Sequence, residues 1–210
     1  MRKILFLVFS VMFVSQHAIA QEKWVKSLHI GMNVATMKGE GVETDGCLFG
    51  PAVMCEVQRN LSKSFAVSAA IAFSRQGSKV QDFSNTSVAE GSSQSNISLD
   101  CLQYDYLNFP VLTKYFPIKN VGIQAGLEPG ILLSARDKGK ELLNGEWRKY
   151  IGEGSARTGY LSIPVGLSYQ YKGVIVQAVY HLGLINVSDY YGGNIDFKHH
   201  YATLSVGCYL

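Results

Sequence analysis

Cysteine, proline, tryptophan, charge and long apolar runs are all scarce in this chain. Its 210 residues include four Cys, five Pro and two Trp, and only 17% are charged. No segment reaches the ~20 consecutive apolar residues that an α-helix needs to cross a bilayer. The cysteines, at positions 47, 55, 101 and 208, show neither paired spacing nor neighbouring His, so the pattern is not that of a zinc site. Cys47 and Cys101 fall near the outer ends of their segments, where a bridge through loops is conceivable; four unpaired, small apolar residues are the alternative. The 19 bases and 16 acids are nearly balanced and no basic cluster stands out along the chain, which excludes nucleic acid as a partner. There is no Gly-x-Ser-x-Gly elbow, no His-Glu-x-x-His pair and no phosphate-binding Gly-Lys loop. The sequence therefore assigns no catalytic, metal-binding or cofactor-binding residue, and no cofactor is expected.

The first twenty residues are of a different kind. Arg2 and Lys3 precede a mostly apolar run from Ile4 to Val14, and Ala18-Ile19-Ala20 follows before Gln21. That is the form of a secretory signal cleaved after Ala20. Two bases and no acid leave with it, so residues 21–210 carry 17 bases and 16 acids, close to neutral. No Cys follows the signal closely, which argues against a lipid anchor. The remaining residues suit one domain, with nothing resembling a linker or a second composition regime.

From Leu28 to Leu210 apolar residues alternate with small or polar ones, the dyad repeat of β-strands. Leu28, Ile30, Met32 and Val34 oppose Ser27, His29, Gly31 and Asn33. Val53, Cys55 and Val57 oppose Ala52, Met54, Glu56 and Gln58, and Phe65 to Phe73 alternates with Ala66 to Gln76. A segment from Cys101 to Phe116 is interrupted by Pro110, where an irregularity is expected. Further alternation spans Val121–Glu128, Tyr160–Tyr171, Val174–Leu182 and Ala202–Leu210. Short turns at Asn60–Lys63, Pro117–Asn120 and Lys172-Gly173 alternate with longer polar segments at Met37–Asp45, Ser78–Ser98, Arg136–Arg157 and Asn186–Asp196, all read as loops. About eight antiparallel strands with tight turns on one side and loops on the other describe an all-β, up-and-down transmembrane β-barrel.

A soluble, ligand-binding barrel has the same repeat turned inside out. Three features favour the membrane. The non-apolar faces consist mainly of Gly, Ala, Ser, Asn and Gln, which fit a narrow lumen. The longer loops share one side. Aromatics of the apolar parity gather at strand ends, with Phe65, Tyr115, Tyr169 and Tyr171 at the short-turn end and Phe49 and Phe73 at the other, as in two interfacial girdles. Glu56, Lys114 and Glu128 then fall on the luminal parity, and an eight-stranded barrel is just wide enough for side chains to fill. Internal ion pairs and a plugged lumen are expected. Arg75 shares the lipid parity, late enough in its strand to reach outer headgroups.

The stretch Tyr106-Leu107-Asn108-Phe109-Pro110-Val111-Leu112-Thr113-Lys114-Tyr115 resembles the tyrosine, apolar, polar, apolar, proline pattern leading into a lysine and an aromatic in PorT-like outer-membrane barrels. Tyr180-His181-Leu182-Gly183-Leu184-Ile185-Asn186-Val187 is similar to that family's segment before the last loop. The resemblance extends over residues 21–210 and implies a barrel of the bacterial outer membrane, with no catalytic residues to carry over. It also implies, for some members, association with a protein-secretion apparatus. These barrels usually end on an aromatic residue, whereas here Tyr209 is followed by Leu210.

The sequence thus points to a monomeric, non-enzymatic barrel in contact with outer-membrane lipid, with its loops free to engage an envelope or secretion-system protein. A lipid-modifying enzyme is the rival from another class. His199 or His200, with Ser98 or Ser162 and Asp100 or Asp196, would supply the residue types, although adjacent His residues point to opposite faces. His181, on the luminal parity, reads as a hydrogen-bonded filler. In the last loop Tyr190-Tyr191-Gly192-Gly193 could bind a partner or simply complete the outer aromatic girdle.

Overall fold

The computed structural model describes residues 24–39, 44–86, 96–143, 146–154, 156–186 and 197–210. The expected signal segment and the 190–193 patch lie outside these residues, as does Asp196. Among the described residues ten strands follow one another: β1 (Trp24–Gly39), β2 (Thr44–Asn60), β3 (Phe65–Thr86), β4 (Asn96–Asn108), β5 (Val111–Ile118), β6 (Val121–Leu143), β7 (Glu146–Glu153), β8 (Gly159–Tyr171), β9 (Val174–Gly183) and β10 (Phe197–Tyr209). All pair antiparallel, and β1 hydrogen-bonds to both β2 and β10, which closes the sheet. The fold is an all-β, antiparallel barrel.

Eight staves make the wall, because two of the ten strands are not separate staves. β4 and β5 are halves of one stave, both lying between β3 and β6 and broken at Phe109-Pro110. The proline has no N–H to give to a ladder, and the break falls where the sequence places an irregularity. β7 pairs only with the outer half of β6, while β8 takes the inner half of the same strand.

The two faces of the wall separate as the dyad repeat requires. Ser27, His29 and Asn33 of β1 are buried, whereas Ile30 and Met32 between them are 64% and 53% exposed. Exposed apolar side chains recur around the wall, among them Ile71, Val111, Leu127, Leu167 and Leu204. An exposed apolar belt around a polar interior is the inverse of a soluble barrel and needs lipid as its solvent. Phe65, Tyr115, Tyr169 and Tyr171 stand exposed at the short-turn end, with Phe65 and Tyr115 4.9 Å apart between ring centres. Trp24 joins that girdle, with the Arg59 guanidinium 5.3 Å from its ring.

At Lys172-Gly173 both residues have positive φ, 47° and 88°, as a two-residue hairpin turn demands. Two expected loops are different in kind. The stretch Ser78–Ser98 contains the ends of β3 and β4, which stay paired from Phe83↔Leu99 to Thr86↔Asn96. Most of Arg136–Arg157 is the β6–β7 hairpin, in register from Arg136↔Glu153 to Leu143↔Glu146. These extensions stand on the side of the barrel opposite the short turns, beyond the apolar belt. There both faces carry polar residues, so the alternation that marks a half-buried strand disappears from the sequence while the backbone ladder continues.

Candidate functional site

The lumen is built in three tiers. Nearest the short turns, Glu56 of β2 meets Lys114 of β5, with Lys114 Nζ 2.5 Å from Glu56 Oε1. His29 Nε2 of β1 lies 3.4 Å from the other carboxylate oxygen and 2.9 Å from Ser27 Oγ. Sequence parity places Glu56 and Lys114 inside, and the structure brings them together.

The middle tier is organised by Glu128 of β6. Its Oε1 accepts from Tyr201 Oη at 2.5 Å, from Ser162 Oγ at 3.1 Å and from Asn108 Nδ2 at 3.4 Å, and it lies 3.0 Å from His181 Nδ1. These partners sit on β10, β8, β4 and β9. One carboxylate oxygen therefore ties five staves across the interior. The His181 ring stacks on Tyr201 with centroids 4.0 Å apart and planes 7° from parallel. Toward the outer opening, His199 is fully buried among Tyr104, Tyr106 and Tyr160, with Nδ1 3.2 Å from Gln76 Oε1. Leu102 and Leu132 pack against this aromatic tier.

A hydroxyl, an imidazole and a carboxylate do line up here. Thr203 Oγ1 is 3.2 Å from His181 Nε2, and His181 Nδ1 is 3.0 Å from Glu128. The order is that of a nucleophile, base and orienting acid. Two facts separate it from a working triad. The Thr203 hydroxyl donates to Asn33 Oδ1 at 2.7 Å, so its proton is directed away from the imidazole. The cavity beside these groups measures about 50 Å³, room for a few waters and for no acyl chain.

The His, Ser and Asp types named by the rival enzymatic reading are dispersed. His199 points into the aromatic tier, while His200 stacks on Tyr180, 6.4 Å away, on the opposite side of the same strand. Ser162 is committed to Glu128, and Asp100 is exposed on the extracellular extension. Arg75 holds Asp105, its register partner on β4, through Nε at 2.7 Å and Nη2 at 3.1 Å. Cys47 and Cys101 are free thiols on β2 and β4, which are separated by β3. Sequence reasoning misses Tyr201, Tyr104 and Tyr106 as lumen fillers. The available signal is an aromatic on the parity of Asn33, Asn108 and Ser162, where a small or polar residue is otherwise the rule.

With this geometry in place, the comparisons with known proteins are consistent. Residues 19–189 match the model of the outer membrane protein beta-barrel domain. No curated protein matches the chain in sequence. Among solved structures it is similar to Ail, the attachment invasion locus protein of Yersinia pestis, at 15% identity and a TM-score of 0.52, covering 90% of this chain and 100% of that one. Neisserial surface protein A gives 13% identity and 0.46, with 88% and 96% covered. OprG of Pseudomonas aeruginosa gives 10% identity and 0.46, with 90% and 97% covered. At 15% identity the likeness to Ail is one of fold. The chain belongs to the outer membrane protein beta-barrel domain family and resides in the bacterial outer membrane.

Proposed function

We propose that the protein is a non-enzymatic envelope component, exported by residues 1–20, whose barrel anchors an extracellular interaction surface. The filling of the lumen carries this reading. Polar side chains from separate staves interlock at Glu56 and at Glu128, and the cavity beside Glu128 is about 50 Å³. Such an interior holds a wall rigid; it offers neither a path for solutes nor a bed for a substrate. Beyond the wall stands the paired extension of β3, β4, β6 and β7, with Phe83–Thr86 against Asn96–Leu99 and Arg136–Leu143 against Glu146–Glu153, held out from the membrane as a rigid platform. Rigid extended strands present side chains with less ordering cost on binding than free loops do. The partner we infer is an envelope protein, and the PorT-like sequence features favour one belonging to a secretion apparatus.

Three measurements test this. Purified protein in planar bilayers is expected to give no sustained conductance; a steady open channel would remove the anchor reading in favour of a pore. In cells, replacing residues 138–151 by a two-residue turn is expected to leave a heat-modifiable barrel in the outer membrane while abolishing cross-links to any envelope protein. Unchanged cross-linking would show that the platform is not the contact surface. Normal release of secreted proteins by a strain lacking the chain would remove the secretion role.

A further inference from the structure

On the extracellular extension Lys140 of β6 stands directly opposite Lys149 of β7 in the ladder, with Ser98 of β4 as the neighbour of Lys140 on its other side. Like charges placed directly opposite each other in a sheet repel. Two residues closer to the membrane along β6, Lys138 pairs with Cys101, and Cys101 pairs with Lys79 of β3. Four lysines from three strands thus fall on one face in two rows, with the row of Gly139 between them. None of the four lies within 4 Å of a carboxylate among the described residues. Lys138 is held by Gln103 Oε1 at 2.6 Å, which fixes its position without neutralising it.

The side of the sheet these lysines occupy follows from their neighbours. Leu102 and Ala135 pack against the aromatic tier of the lumen, and Asp137 is buried beside them in the ladder, so these residues face the barrel axis. Lys79, Cys101, Lys138 and Lys140 alternate with such inward residues and face outward. They stand above the lipid belt and look sideways over the membrane surface. A shallow concavity there is lined by Lys138, Lys140, Arg148, Lys149 and Trp147, with Asp100 the acid among its lining residues. Trp147 and Ile151 share the outward face and are 57% and 56% exposed.

We propose that this face docks the anionic headgroup of outer-leaflet glycolipid in the same membrane, its phosphates bridging Lys140 and Lys149 and its sugars lying against Trp147. The inference deepens the interaction-surface reading above and rests on it. Three observations favour the lipid over a partner arriving from outside: the face points along the membrane, it begins just above the apolar belt, and its exposed tryptophan is of the residue type that seats at membrane interfaces. An anion between the opposed lysines removes the repulsion that the protein alone leaves in place, and basic groups near an anionic leaflet are attracted over about a Debye length.

Trp24 and Trp147 are the two tryptophans of the chain, at opposite ends of the barrel. Trp24→Phe protein, folded into phosphatidylcholine vesicles, therefore reports on the extracellular face alone. Titration with lipopolysaccharide bearing a phosphorylated core is expected to shift Trp147 emission to saturation, and raised salt to weaken the response. Lys140→Gln/Lys149→Gln in the same background is expected to lower the apparent affinity at least tenfold while keeping the heat-modifiable folded band. Dephosphorylated lipopolysaccharide is expected to give no saturable shift. Equal titration of parent and variant, or of the two glycolipids, overturns the proposal. So does a soluble polyanion that binds more tightly and is not displaced by the glycolipid, because the face would then serve a partner from outside. This measurement and the cross-linking of the hairpin-deleted protein fail independently, so loss of this inference leaves the broader reading to its own test.

Discussion

Lys114 Nζ approaches Glu56 Oε1 to 2.5 Å with the two side chains 2% and 1% exposed, an ion pair sealed inside the barrel. Charges in such a place cost a great deal to desolvate and are retained only as a pair. Removing one partner leaves the other uncompensated. Lys114→Met is therefore expected to lower stability by about 3–5 kcal/mol, the scale of a broken buried pair. Glu56→Gln added to it should recover most of that loss. Urea unfolding in lipid vesicles, followed by the heat-modifiable band, gives both values; a single variant as stable as the parent would show that Glu56 finds sufficient compensation in His29.

Tyr201 and Ser162 donate to the same oxygen of Glu128, at 2.5 Å and 3.1 Å, which makes them a matched pair for comparison. A short hydrogen bond to a charged acceptor is worth about 1.5–3 kcal/mol, and longer ones less. Tyr201→Phe keeps the ring that stacks on His181 and deletes only the hydroxyl, so about 2 kcal/mol should be lost. Ser162→Ala should cost about 1 kcal/mol. Unfolding midpoints of the two variants rank the bonds, and an equal or reversed order would mean that the tyrosine hydroxyl is not the main clamp on the carboxylate.

The wall was legible because one of its faces is apolar throughout. Ile30, Met32, Leu204 and Val206 share the outer face that their alternation in the sequence predicts, and they meet across β1 and β10 with Ile30 opposite Val206 and Met32 opposite Leu204. Glu56 and Lys114 were legible as interior residues because a charge on the lipid face is too costly there. Their mutual contact was not legible. Parity tells which side a residue faces, and which residues meet across a lumen depends on the stagger of the closed barrel. The same limit hid the contact between Glu128, which parity also places inside, and Tyr201, 73 residues away. The extension of β6 and β7 was hidden for a different reason. At Lys140↔Lys149 and Glu141↔Arg148 both faces are polar, so the dyad repeat on which strand reading depends has nothing to alternate.

Cys47 and Cys101 pair in register with Ser78 and Lys79, on the two sides of β3. Two strand spacings of roughly 4.8 Å put their backbones about 10 Å apart, well beyond the ~7 Å limit for a disulfide. Alkylation of the unfolded protein before and after reduction is expected to give the same mass, with all four thiols modified in each case. A mass difference of two alkyl groups would reveal a bridge and require the outer ends of β2 and β4 to approach over β3.

Arg75 and Asp105 form a bidentate pair whose members are unequally placed. The arginine side chain is 31% exposed and the aspartate 9%. The guanidinium has water or headgroups within reach if its partner is lost, and its long stem can carry the charge there. Asp105 is short, shielded and fixed on β4, so it has no such escape. The asymmetry predicts unequal costs. Asp105→Asn should lower stability by about 1 kcal/mol, as for a partly exposed pair, and Arg75→Leu by about 3 kcal/mol, as for a buried charge left alone. Asp105→Asn introduced into the Arg75→Leu protein should then restore stability, because it removes the stranded charge. Urea titrations of the two single variants and the double variant in vesicles supply the cycle. Equal single losses, or a double variant weaker than Arg75→Leu alone, would show that the pair acts through packing and not through the burial of Asp105.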